Sequence, residues 1–353
     1  MPKKVLFFLN NLNRTGSETL MFQFICELQK VNSVEIGIVL MEKGGDLVAE
    51  LPSEIPVFYL EKQFSLFDKI AFHSGKDVIA SRLNQIQKDF NANIWYFNTI
   101  ANIDLLRYKS AHSVKAWVHV HELLYNFESL PKSEFDLLLS QADQIIACSS
   151  LVKELFASIY EKQVVLINST INPELYQAKR INSTSKKIKV VSAGTICYRK
   201  GADLFLEMAS LAPKDQFEFI WLGSSANNAF SEWVFEKNKI SKVVKFISTP
   251  STEAYQQELA QADLFLSTSR EESMGLVMLE AAALKIPILA LNSGGAELIV
   301  NDKNGVICYD SRPKALLEAL LKLAGRLADF QTYPPIPFEF QTELTQFLTL
   351  FKP

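Results

Sequence analysis

Glu272 and Glu280 stand eight residues apart across the point where a loop becomes a helix. Ser273 is the expected N-cap and Gly275 falls in the first turn, while Leu276, Leu279, Ala282 and Ala283 form an apolar stripe at helical spacing. Pro287 ends that helix, and Ile286–Leu291 then reads as a buried parallel strand. A helix start bares backbone N–H groups and about half a positive charge, which makes it a seat for a phosphate. Gly275 lets a ligand approach the backbone closely. One carboxylate ahead of the seat and another about two turns along suit a phosphorylated sugar with hydroxyls on both sides. Spacing alone would also describe two glutamates on a solvated helix face. Glu280, however, lies between Val-Met-Leu and Ala-Ala-Ala-Leu, and a carboxylate in apolar company is rare unless it is paired or liganded.

Three other loops carry residues of the same kind. Asn10-Asn-Leu-Asn-Arg-Thr-Gly16-Ser-Glu18 follows an apolar strand and opens a helix, with Ser17 as the expected N-cap. Trp117-Val-His119-Val-His121-Glu122 leaves a strand, and alternation puts both histidines on one side, one to be buried and one to face a ligand. Gly194-Thr-Ile-Cys-Tyr-Arg199-Lys200-Gly201 also leaves a strand, and by itself its Arg-Lys pair reads as a solvated turn before a helix. Nothing after the first strand matches Gly-x-Gly-x-x-Gly, and no Gly-x-x-x-x-Gly-Lys-Ser/Thr loop occurs, which argues against dinucleotide and NTP sites.

The elements that must position these loops alternate between strand-like and helix-like runs, the pattern of parallel α/β folds. Strands are expected at Val5–Asn10, Val34–Met41, Val57–Leu60, Ile94–Phe97, Lys115–Val120, Gln144–Cys148 and Val164–Ile167. Helices fit Glu18–Gln29, Asp77–Phe90, Glu134–Ala142 and Leu151–Tyr160. The pattern restarts at Ile188–Ala193 and runs on through Ala202–Leu211, Phe217–Leu222, Val243–Ile247, Glu253–Ala260 and Leu264–Ser267 to a helix at Lys314–Leu327. Two Rossmann-like doubly wound domains are expected, at 1–170 and 188–330, with 171–187 as linker and 340–353 packing back on the first domain. Asn304-Gly305 reads as a tight hairpin turn.

The segment Ser269-Arg-Glu-Glu-Ser-Met-Gly-Leu-Val-Met-Leu-Glu280-Ala resembles the glutamate–seven–glutamate signature of family 4 glycosyltransferases, retaining nucleotide-sugar enzymes of GT-B fold. The match continues through Lys285-Ile-Pro287-Ile-Leu and Ser293-Gly-Gly-Ala-Glu297; it is sharp over 190–306 and weaker elsewhere. The resemblance implies an α/β GT-B fold with two domains facing a cleft. It also implies a retaining, metal-independent transfer from a nucleotide-diphosphate sugar, UDP-sugar favoured over GDP-sugar, to a hydroxyl-bearing glycan or glycoconjugate, with no cofactor. Glu272, Lys200 and His121 are the implied catalytic residues, His121 meeting the sugar or its acceptor. The implied donor-binding residues are Gly16, Thr195, Arg199, Lys200, Gly223, Ile247, Ser273, Met274, Gly275, Leu276, Val277 and Glu280, the last on ribose. Two departures are visible. Thr195 stands where the family has arginine, with Arg199 or Arg270 as the substitute charge, and only Gly16 remains of a Gly-Gly pair. Those departures support an alternative, a catalytically silent partner of another transferase.

Composition narrows the rest. The 353 residues carry 36 Lys and Arg against 39 Asp and Glu, a formal charge of −3 that argues against nucleic-acid binding through a basic field. Cys26, Cys148, Cys197 and Cys308 are scattered without ligand spacing, so reduced thiols and no metal are expected. No run of 18 apolar residues occurs, and a cytoplasmic protein is expected, with peripheral contact at the inner face of the membrane as a further use. Phe64, Phe67, Phe72, Lys69, His73 and Lys76 form an aromatic and basic patch for core packing or such contact.

Overall fold

The computed structural model describes residues 3–31, 34–60, 77–176, 186–248, 251–330 and 336–352. Met1–Ser169 together with Gln341–Pro353 form one unit, and Thr170–Phe340 form the other. The aromatic and basic patch at 64–76 and positions 177–185 of the expected linker lie outside the described residues.

The first unit is built on β1 (Lys3–Leu9), β2 (Val34–Leu40), β3 (Val57–Tyr59), β4 (Ile94–Asn98), β5 (Lys115–Val120), β6 (Gln144–Ala147) and β7 (Val165–Leu166). They lie in the order β3-β2-β1-β4-β5-β6-β7, with every neighbouring pair parallel. Val5 to Leu9 are wholly buried, as a strand covered by helices on both faces requires. Much of the phenylalanine content is placed here. Phe347 and Phe351 stand 6.5 and 6.2 Å from Phe7. Phe347 stands 4.8 Å from Phe24. They belong to the C-terminal segment, whose helix Phe340–Thr349 brings the Glu343 carboxylate to the Asn168 amide and side chain at 2.7 and 3.0 Å.

The second unit holds β8 (Ile188–Ala193), β9 (Phe217–Leu222), β10 (Val244–Ile247), β11 (Leu264–Ser267), β12 (Ile288–Leu291) and β13 (Gly305–Cys308), in the order β10-β9-β8-β11-β12-β13, again all parallel. Residues 170 to 176 pack into this unit: Ile171 is buried, and the Thr170 hydroxyl donates to the Phe338 carbonyl at 2.5 Å. In each sheet the strand order reverses once, between β1 and β4 and between β8 and β11. The loops leaving these pairs run to opposite faces and open a crevice at the carboxyl ends of the strands.

Four local expectations change. Helix Gly16–Lys30 begins at Thr15, so Ser17 lies inside it. Helix Leu276–Ala283 is capped by Gly275 in a left-handed conformation, not by Ser273. Asn304-Gly305 makes no hairpin: β12 and β13 are parallel, and the short helix Gly295–Ile299 crosses between them. Helix Ala229–Ser241 was not anticipated from its mixed polarity, although Asn228 and Ser231 form a complete capping box at its start.

Candidate functional site

In the second unit the loops after β8 and β11 meet at the reversal point, and Lys200 and Glu272 come together there. Lys200 Nζ lies 2.5 Å from Glu272 Oε1, and Arg199 Nη1 reaches Oε2 at 3.4 Å. Ser269 donates its hydroxyl to Oε1 at 2.7 Å. The backbone fixes the carboxylate as firmly: the Glu272 amide donates to the Ser293 carbonyl at 2.7 Å, and the Glu272 carbonyl accepts from Gly295 at 2.7 Å. Burial works to raise the Glu272 carboxyl, but the charges of Lys200 and Arg199, with the hydrogen bonds, outweigh it and hold the group below its ordinary value. Glu272 is an ion in the folded protein. The Ser293 hydroxyl beside it is buried and has no hydrogen-bond partner among the described residues.

Gly201 makes the turn that presents Lys200. Its φ is +67°, and a Cβ there would lie 2.0 Å from the Thr268 carbonyl oxygen. Thr268 in turn donates its hydroxyl to the Gly201 carbonyl at 2.9 Å. Gly201→Ala is expected to cost about 1–3 kcal/mol of stability from backbone strain, with more from the clash, read as a fall in the thermal unfolding midpoint.

The helix start lies directly after this ion pair. The first intrahelical bond runs from Met278 to the Gly275 carbonyl at 2.8 Å, so the amides of Leu276 and Val277 precede the ladder. Gly275 has φ +87°, and a Cβ would meet Met278 Cε at 2.3 Å. Met274 is buried among the core side chains, leaving only its backbone for a ligand. Ser273 is half-buried beside it. Further along, Glu280 is half-buried, with Tyr176 donating to Oε1 at 2.8 Å and Tyr255 to Oε2 at 2.5 Å. Burial raises its carboxyl; the two phenols and the charge of Lys200 oppose that without cancelling it.

The remaining residues named from the sequence are spread more widely. Thr195 is exposed. Arg270, the other candidate for the charge missing there, makes a two-pronged pair with Asp203 at 2.9 and 2.7 Å and lies 3.8 Å over the Tyr198 ring. Arg199 is the second cation beside Glu272. The Gly223 amide donates to the Ile247 carbonyl at 2.9 Å, so that amide is not open to a nucleobase.

In the first unit, Gly16 is exposed at the helix start, and the buried Glu18 carboxylate accepts from the amides of Asn10 and Leu12 at 3.0 and 2.8 Å, shaping the loop. His119 is buried against Tyr96, whose hydroxyl is 2.9 Å from Nδ1. His121 is half-buried, with Nε2 2.9 Å from the side-chain Oδ1 of Asn98 and Nδ1 3.3 Å from the Ser169 hydroxyl. Burial lowers its pKa to about 4, and a neutral ring donating from Nε2 and accepting at Nδ1 satisfies both contacts. Sequence reading missed Ser269, Tyr176 and Tyr255. Ser269 sits three residues before Glu272 and could have been found; nothing in the sequence ties Tyr176 and Tyr255 to Glu280. Among the described residues no helix is long and apolar enough to cross a membrane, and no cluster of three or more His, Cys, Asp or Glu is placed to hold a metal.

The span that carries Lys200, Glu272 and Glu280 matches a known family model, Glycosyl transferases group 1, over residues 176–325. This segment is similar to the glycosyl transferases group 1. The group 1 assignment agrees with curated relatives. The phosphatidylinositol N-acetylglucosaminyltransferase GPI3 subunit of Saccharomyces cerevisiae (strain YJM789) is 24% identical over 217 residues, 56% of this chain and 47% of that protein. Sulfoquinovosyl transferase SQD2 of Arabidopsis thaliana is 25% identical over 255 residues, 68% of this chain and 49% of that protein. The chain thus spans about half the length of these curated relatives. Among solved structures, Anabaena HepE in complex with UDP and glucose superposes with a TM-score of 0.81 at 17% identity, covering 99% of both chains. The fold class is therefore GT-B, with two Rossmann-like doubly wound units.

Proposed function

We propose that this chain transfers a sugar from a nucleoside-diphosphate donor, a UDP-sugar in preference to a GDP-sugar, to a hydroxyl of a glycan or glycoconjugate, with retention of anomeric configuration and without a metal or other cofactor. The observation that carries the reading is the Lys200–Glu272 pair, 2.5 Å apart, set at the strand reversal and immediately ahead of the helix start at Gly275. Anabaena HepE, solved with UDP and glucose, and relatives named as N-acetylglucosaminyl and sulfoquinovosyl transferases support the substrate class.

In this reading the diphosphate sits on the amides of Leu276 and Val277, and Lys200 shifts part of its charge from Glu272 to the departing phosphate as the glycosidic bond breaks. Arg199, the second cation beside Glu272, helps keep it ionised. Glu272 then faces the developing oxocarbenium character of the sugar, and Glu280 takes the ribose hydroxyls. His121, neutral near pH 7, meets the sugar or acceptor by exchanging its contact with Asn98 or Ser169 for one to the ligand, and not as a cation. The protein is proposed to work in the cytoplasm, peripheral to the membrane.

Incubation with a panel of UDP- and GDP-sugars, with and without a chelator, and scoring nucleotide release, tests the assignment; the anomeric configuration of the product tests retention. A folded protein that releases nucleotide from no donor is instead a silent partner of another transferase. Glu280→Gln keeps the size and loses the charged acceptor, so donor binding is expected to weaken by about 1.5–3 kcal/mol. Calorimetric affinity within twofold of the parent would remove Glu280 from the donor site.

A further inference from the structure

Glu280 is held from two sides by residues far apart in the chain. Tyr176 comes from the segment ahead of β8, and Tyr255 from the helix Thr252–Ala260. Each phenol donates to a different carboxylate oxygen, at 2.8 and 2.5 Å. A carboxylate oxygen has two acceptor positions, so one on each oxygen is occupied and one on each is left. Rotation of the carboxylate would break both bonds at once. All three residues are half-buried. Placing a carboxylate in apolar surroundings with only neutral donors is unfavourable, and an apolar side chain would fill the space at lower cost. The arrangement makes sense if the remaining acceptor positions have a ligand.

We propose that Tyr176 and Tyr255 are positioning residues that fix the Glu280 carboxylate so that it reads the vicinal 2′,3′-diol of the nucleotide, giving the site its preference for ribose over deoxyribose. This rests on the reading of Glu280 as the ribose acceptor. Both phenols also pull the Glu280 carboxyl downward against the effect of burial, keeping the anion available. Neither tyrosine need touch the sugar being transferred.

The test is calorimetry on the full chain with UDP and 2′-deoxy-UDP, and in parallel with GDP and 2′-deoxy-GDP, using the wild type, Tyr176→Phe, Tyr255→Phe and Glu280→Gln. The wild type is expected to favour the ribonucleotide by about tenfold or more, the worth of one charged hydrogen bond. Each Tyr→Phe change is expected to reduce that preference to about threefold or less, and Glu280→Gln to abolish it, with affinity for the deoxy ligand, which keeps its 3′-hydroxyl, falling less than that for the ribonucleotide. The two phenylalanine variants act on different oxygens, so either one decides the question if the other fails to fold. A wild-type preference that survives unchanged in the phenylalanine variants overturns the role of the tyrosines and leaves the ribose reading standing. Equal loss of both ligands in those variants also overturns it, since a purely structural role would weaken both alike. A wild type without any preference overturns the ribose reading itself, and this proposal with it.

Discussion

Lys200→Ala is expected to lower turnover by about a hundredfold or more, with a smaller change in the Michaelis constant. The ammonium is half-buried and already 2.5 Å from a carboxylate, so its position is set before any ligand arrives. A charge fixed in advance needs no reorganisation when the leaving diphosphate gathers negative charge, and its benefit therefore falls mainly on the transition state. Steady-state kinetics on the wild type and variant, separating turnover from the Michaelis constant, check this. A rise in the Michaelis constant alone would make Lys200 a binding residue and end its proposed part in bond breaking. Lys200→Arg is a useful companion, because a planar guanidinium does not reproduce a point charge.

The second large effect concerns stability. Glu272 is 5% exposed and faces Lys200 and Arg199. Glu272→Ala leaves two neighbouring cations without their counterion, and breaking a buried pair in this way costs about 3–5 kcal/mol. Its pH dependence has a definite sign. The Glu272 carboxyl is held below its ordinary value of 4.5 in the folded protein, so the unfolded chain binds the proton more readily. The contribution of Glu272 is thus fully present above about 4.5 and is lost as the pH falls through the lower folded value. Denaturant unfolding of wild type and variant is expected to show a wide gap near neutrality that closes in acid. Comparing the two proteins removes the opposite contribution of Glu280, whose carboxyl is raised. A gap below about 1 kcal/mol at pH 7 would mean that the pair does not hold the site together.

Much of this was legible in the chain. Strands buried on both faces are continuous apolar runs, so Val5–Leu9, Val190–Ala193 and Phe217–Leu222 declare themselves, and their alternation with amphipathic runs leaves few options beyond two parallel sheets. Glu280 stood out because a charge inside an apolar run conflicts with local preference, whereas Lys200 and Glu272 were marked by the family resemblance of their loops. Such conflicts mark sites. Helix caps were less legible: Ser273 has the better capping chemistry, but Gly275 can adopt the left-handed turn that the backbone needs there.

The sequence by itself determined that both halves are α/β, and that in the second a charged loop leads into an apolar helix at Gly275, because these follow from periodicity and from side-chain chemistry within a few positions. Only the tertiary structure decided which of those groups meet. Seventy-two positions separate Lys200 from Glu272, and only the strand order that sets β8 beside β11 brings them together. Arg270 had the same sequence credentials as Arg199, yet packing gives it to Asp203 and the Tyr198 ring. Tyr176 and Tyr255 carried no local signal at all, because a phenol hydrogen-bonded to a carboxylate 104 or 25 positions away leaves no trace in its own segment. Periodicity records how a segment meets its own core; it holds no record of which distant side chain meets it across a loop, since that depends on how the sheet is ordered.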